Sequence, residues 1–295
     1  NYTAAESGLA AEYPDHPGRN RQPFFFTTPR QRNNVAILRQ QQRFVAEVLR
    51  HSVPWPHVLY CIDNETNGEE AWAIYWAEFI RGHARSTGVE VHLTEMWDAH
   101  DLKLPQHRRT FDHPERFTFV DVSQNNHQKG DAHWDNFQWT RTYLAPRPRP
   151  INSVKIYGAD TGRYGNDRDG VERFWRHLLG GAAGVRFHRP TSGQGFNANA
   201  EAAIRAARLL EGRVKFWELA PTLERLRDRE PNEAFAAARP GHALLVYFHA
   251  GGAIEADLRD FPAAAEVRWL DLARVAWRDP TALAGGAWAA FTPPG

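Results

Sequence analysis

The run Ile62-Asp63-Asn64-Glu65 closes the apolar stretch VLYCI at 58–62. Partial burial at the mouth of an apolar strand can keep a glutamic acid protonated near neutral pH. A protonated carboxyl beside an amide suits the cleavage of a sugar acetal: the acid protonates the leaving oxygen and the amide holds a hydroxyl. Glu65 is therefore the candidate general acid and Asn64 a candidate sugar contact. The same segment also fits a plainer role. Asn64 or Asn67 could cap a following helix, with Glu69 and Glu70 favoured by its dipole. Capping leaves Glu65 unused, so both roles can hold.

Four more apolar segments end in polar residues: Glu95-Met96-Trp97-Asp98, Asp121 with Ser123-Gln124-Asn125-Asn126-His127, Lys155-Ile156-Tyr157-Gly158-Ala159-Asp160, and Arg186 with His188 and Arg189. Asp160, Glu95 and Asp98 are candidate second carboxylates. Trp97, Asp98, Gln124, His127, Lys155, Tyr157, Arg163 and His188 are candidate substrate contacts. His127, His133 and His188 match no compact metal-ligand spacing, so neither a metal nor a cofactor is expected. Gly180-Gly181 is read as close helix–strand packing, and Ser192-Gly193-Gln194-Gly195 as a loop over the pocket mouth.

These positions need elements to hold them. Apolar spacing predicts helices over 33–50, with Asn33 or Asn34 as N-cap and Pro54 and Pro56 beyond it, and over 70–85, 133–144, 169–179 and 199–211. Strands are predicted at 58–62, 89–94, 117–122, 151–157 and 183–188. Their starts lie roughly 30 residues apart, the length of a βα unit. Such alternation predicts a parallel sheet covered on both faces. A doubly wound sheet would share that spacing, but no G-x-G-x-x-G follows any strand. The expected fold class is α/β, a (β/α)8 TIM barrel with its first three strands missing before Asn1, occupying 1–220. Short alternating segments at 242–248, 253–258, 266–272 and 286–291 predict a small antiparallel β-sandwich over 221–295, with a last strand absent. Residues 1–30 read as a long loop.

The chain has 295 residues, a net charge of +1, 42% hydrophobic and 24% charged residues. That balance gives no global field for a nucleic-acid partner, and no apolar run is long enough to span a bilayer. A single cysteine, Cys61, excludes an internal disulfide and is expected to be a buried, inert thiol. The 11 Trp, 8 Tyr and 17 Phe suit either a large core or sugar-stacking walls. The chain begins at Asn1 in loop-like sequence, so its natural N-terminus is expected to be missing. A secreted or periplasmic location is favoured over a cytoplasmic one, and oligomeric state is unassigned.

The segments YCIDNETNG (60–68), FVDVSQNNH (119–127), VKIYGAD (154–160), RFWRHLLGGAAGVRFHRP (173–190) and LLVYFHAGGAIEADL (244–258) resemble barrel glycosidases of the large retaining clan. More narrowly, the chain resembles the apiosidase-like group, which carries a small C-terminal β-sandwich labelled collagen-binding. The resemblance implies that Asn64-Glu65 ends the fourth strand and that 183–188 is the eighth. It implies a carbohydrate substrate, with Glu65 as acid/base. It also implies a nucleophilic Glu at the end of the seventh strand, where this chain has Lys155. Three readings follow. Asp160 could supply the second carboxylate, Glu95 or Asp98 could supply it with a different separation, or the protein could bind glycan without hydrolysing it.

Overall fold

The structure, a computed structural model, describes residues 8–9, 23–156, 166–188 and 196–294. The chain forms two compact units, Asn1–Ala99 with Leu104–Gln124, and His100–Lys103 with Asn125–Gly295.

In the first unit, α1 (Val35–Ser52) starts where Asn34 Oδ1 accepts the amide of Ile37 at 3.2 Å. That bond satisfies one of the orphan donors of the first turn. The helix buries Ile37, Leu38 and Leu49. β1 (Leu59–Cys61) and α2 (Glu70–Ser86) follow. α2 turns Ala73, Ala77 and Ala84 inward, and these join Leu49, Val53, Leu93, Trp97 and Phe117 in one core. β2 (His92–Thr94) runs parallel to β1, with Cys61 opposite Thr94. Sequence reading missed α3 (Pro105–Phe111), which opens on a proline where no N–H is needed. β3 (Val120–Asp121) closes the unit.

Three expectations differ from the structure here. The sequence places β1 in a sheet covered on both faces and Cys61 in the core, yet Leu59 is 48% exposed and Cys61 is exposed too. Only β2 pairs with β1 among the described residues. The thiol is therefore not a core residue; it donates to the carbonyl of Asp63 at 2.9 Å. The N-cap of α2 is Glu69, without a side-chain capping bond, rather than Asn64 or Asn67. Asn67 instead donates to Asp98 Oδ2 at 2.7 Å.

In the second unit, α4 (Gly130–Leu144), β4 (Ile151–Ile156), α5 (Asp167–Leu179), β5 (Gly184–Phe187) and α6 (Ala198–Glu211) succeed one another. β4 and β5 pair in parallel. α5 opens on a capping box: Asn166 Oδ1 accepts the Asp169 amide, and the Asp169 carboxylate accepts the Asn166 amide. A Cβ on Gly180 would lie 2.6 Å from the Arg176 carbonyl and 2.8 Å from the Phe137 ring. This glycine thus serves a contact between α5 and α4, not the expected helix–strand contact. Ala200, Ala203 and Ala206 of α6 lie flat against a core holding Trp134, Phe174, Trp175, Phe187 and Phe235.

Beyond Glu218 the chain forms short strands: β6 (Ala220–Pro221), β7 (Leu226–Arg227), β8 (Ala234–Arg239), β9 (Ala243–Phe248), β10 (Ile254–Asp257), β11 (Ala264–Val267), β12 (Leu270–Asp271), β13 (Ala276–Trp277), β14 (Thr281–Ala284) and β15 (Trp288–Phe291). They pair antiparallel in the orders β6-β8-β9, β15-β10-β7, β11-β14 and β12-β13. β8, AFAAAR, escaped sequence reading because alanine carries little strand propensity; its buried, two-faced position decides instead. The single strand expected at 266–272 is divided between β11 and β12.

Candidate active site

The parallel register sets the site of the first unit. Cys61 lies opposite Thr94, so the residues just beyond, Asp63 and Glu95, leave the two strands side by side. The Asp63 amide donates to Glu95 Oε1 at 3.0 Å. Glu95 is 1% exposed. Burial first, and then the neighbouring Asp63 carboxylate, raise its pKa well above the ordinary carboxylate value, with Asp121 adding to the effect. Asp63 is raised by burial as well, to about 6, against the lowering contacts of Thr66 and Trp72. No ion pair reaches either carboxyl among the described residues. A buried acid beside a half-buried one, with no cation against either among the described residues, holds a proton into the neutral range.

Asp121 is the third strand-end acid of this unit. Its carboxylate accepts the amide and hydroxyl of Ser123, each at 2.9 Å, and its own amide donates to Thr94 Oγ1 at 3.2 Å. Glu65, two residues past Asp63, is half-buried and has a φ of +51°. A left-handed backbone at a residue bearing a Cβ costs about 1–3 kcal/mol and persists only where its surroundings impose it. The imposition is visible: the amide of Thr66 donates to the Met96 carbonyl at 2.9 Å, and that of Asp98 to the Thr66 carbonyl at 3.0 Å. These bonds lace the loop after β1, next to Glu65, to the loop after β2.

The expected site residues therefore divide. Asn64, Glu65, Glu95, Trp97 and Asp98 are brought to the ends of β1 and β2. Asn64 is exposed and Asp98 half-buried. Trp97 is 1% exposed, donates its indole N–H to Thr110 Oγ1 at 2.8 Å and lies under the Arg109 guanidinium at 5.1 Å. It packs in the core and offers no face for a sugar. Gln124, in the same unit, is buried rather than set at a pocket. His127, Lys155 and His188 belong to the second unit. There His127 stacks on His100 with 3.4 Å between centroids. Lys155 is 8% exposed, and its carbonyl accepts the Asn126 side-chain amide at 2.6 Å. The amide of His188 donates to the Ile156 carbonyl at 3.2 Å. Tyr157, Asp160, Arg163 and the 192–195 loop lie outside the described residues. Among the described residues, no three His, Cys, Asp or Glu side chains gather as metal ligands.

Sequence reasoning overlooked Asp63 as a partner of Glu95. The sequence carried half of the signal: each acid stands just beyond an apolar strand, but the register that sets them side by side is fixed only by the pairing of β1 with β2.

Solved structures of glycoside hydrolases share this fold. A glycoside hydrolase family 5 protein from Bacteroides vulgatus ATCC 8482 matches with a TM-score of 0.57 and 15% identity, over 89% of this chain and 63% of its own. A second glycoside hydrolase matches at 0.58 and 14% identity, over 88% and 66%. A noncanonic maltogenic α-amylase from Thermotoga neapolitana matches at 0.52 and 9%, over 86% and 64%. The chain spans about two thirds of the length of these proteins. No family profile and no curated protein sequence matches it.

Proposed function

We propose that the protein is a glycosidase, hydrolysing a glycosidic bond in an oligosaccharide or polysaccharide side chain, with its reacting carboxyls at the ends of β1 and β2. Glu65 is the group that meets substrate and acts as general acid/base. The Asp63–Glu95 pair behind it stores a proton, and Asn64 and Asp98 contact sugar hydroxyls. The observation that carries this reading is the buried Glu95 beside the half-buried Asp63, with no cation paired to either among the described residues. Burying two acids without a counterion costs stability, and such groups concentrate where proton transfer is needed. The fold shared with glycoside hydrolases supports the substrate class. In this reading the C-terminal strands from about residue 221 form an accessory β-sandwich.

A second reading, glycan binding without hydrolysis, is favoured by Lys155, which stands where the resemblance places a nucleophilic Glu. One experiment separates the two. Turnover is screened on a panel of glycans and aryl glycosides with the wild-type chain and Glu65→Gln. A general acid contributes about 10²–10⁴-fold, so Glu65→Gln is expected to lose at least a hundred-fold in kcat/KM. Equal turnover by both proteins sinks Glu65 as the acid. Glycan binding unaccompanied by turnover establishes the second reading.

A further inference from the structure

A cavity of about 620 Å³ in the second unit is lined by all six residues of β9, together with Trp277, Leu270, Leu283, Phe291 and Arg213. Among the described residues, β9 is the last strand of its sheet and pairs with β8 alone. The direction of its backbone groups follows from one bond. The Ala236 carbonyl accepts the Thr222 amide at 2.9 Å, so Ala236 points toward β6, and Phe235 and Ala237 point toward β9. With Phe235 opposite Tyr247 and Ala237 opposite Leu245, Ala243, Leu245 and Tyr247 spend their amides and carbonyls on β8. Leu244, Val246 and Phe248 turn theirs to the open edge. No partner meets those three amides and three carbonyls among the described residues.

The open edge therefore faces an apolar chamber rather than plain solvent. Side chains flank it on both sides of the strand: Leu245 and Tyr247 lie with Trp277 and Leu270, and Leu244, Val246 and Phe248 lie with Phe291. An apolar small molecule would fill the chamber and leave the edge groups unpaired, which is costly once water is displaced. An added strand satisfies both demands. It pairs with the edge and sends alternate side chains to the two apolar walls. The charge pattern adds a further feature. Arg268 is paired with Glu266, whereas Arg213 lies over Trp277 at 5.2 Å and no carboxylate reaches it among the described residues.

We propose that the free edge of β9 binds an extended peptide segment by strand addition, apolar at alternate positions and carrying a carboxylate toward Arg213. The test pans random hexapeptides against the full chain and measures fluorescein-labelled winners by anisotropy. Winners are expected to be apolar at alternate positions, to lack proline at the paired residues and to include Asp, Glu or a free C-terminus. Val246→Pro removes an outward amide and leaves the β8 ladder intact, so affinity should fall at least ten-fold; Val246→Ala should stay within about three-fold of wild type. Arg213→Gln should weaken binding several-fold. A winner N-methylated at its paired residues gives the same reading on the wild-type chain, whether or not Val246→Pro folds. The proposal is overturned if no sequence is enriched, or if N-methylated peptides or the proline variant bind as well as their parents.

Discussion

Both units bury ionisable groups, and they do so in opposite ways. At the ends of β1 and β2, half-buried Asp63 and buried Glu95 lie side by side with no cation paired to either among the described residues, and both are pushed toward the protonated form. On α5, Arg176 is 1% exposed but donates to Glu172 at 3.1 Å and to Asn232 at 3.0 Å. Arg173, equally buried, donates to the Gln128 carbonyl at 3.2 Å and is lowered by burial to about 10. The cationic cluster has been given its counterion and acceptors, so its charges stay and hold helix to strand. The acidic pair has been denied them, so it holds a proton. Burial alone marks neither structure nor chemistry; the presence of an opposite charge separates them.

The comparison breaks first at Arg176. Among the described residues, Arg176→Met leaves buried Glu172 with Arg168 at 3.0 Å and His249 at 3.8 Å. A loss of about 3–5 kcal/mol in urea unfolding is expected, and a loss below about 1 kcal/mol would show that the pair is not structural. Glu95→Gln should act in the opposite direction. The pKa of Glu95 is held well above the ordinary carboxylate value by burial and then by Asp63, and Asp63 is itself raised by burial to about 6. The neutral forms are thus the ones that fit the fold, and that stability is present below about pH 4 and lost as pH rises. Glutamine keeps the acceptor for the Asp63 amide while removing the acid, so the variant should be more stable than wild type by about 1–2 kcal/mol at pH 7 and equal to it at pH 4. A variant weaker at pH 7 would mean that the pair is not a repelling one.

Much of this contrast was legible in sequence, unevenly. The βα alternation was readable because apolar strands and amphipathic helices have distinct periods, and Asn34 and the prolines mark ends. Glu95 was picked out with Glu65 because strand ends converge. Its partner was not, because pairing depends on register, and Cys61 opposite Thr94 is a three-dimensional fact. Trp97 was misjudged for a related reason: a tryptophan beside acids looks like a sugar platform, and only its Thr110 bond and core neighbours show that it faces inward. The Arg176–Glu172 pair is written at i, i+4 spacing, yet its burial comes from Asn232 and Phe235, more than fifty residues on. β8 shows the limit in the fold itself, since nothing in AFAAAR announces a strand until both its faces are covered.

The smaller tests probe whether each cluster keeps its own side of the pH scale. His177 is fully buried, touches His133 and Phe137 edge-on, and is lowered to about 3 by burial and then by Arg176 and Arg173. Its neutral form is the one that fits. The stability it carries is present above the ordinary 6.5 and lost as pH falls toward 3, the reverse of Asp63. His177→Leu should therefore flatten the acid limb, gaining about 1–2 kcal/mol at pH 4 relative to its effect at pH 7; an unchanged slope below pH 6 would remove the histidine from the account. Asn34→Ala supplies the reference that neither cluster should influence. It removes the cap bond to Ile37 and should cost about 1 kcal/mol by an equal amount at pH 4 and pH 7, because no titrating group is involved. If that cost also changes with pH, the opposite slopes belong to the chain as a whole, and the two clusters lose their claim to have been built for different ends.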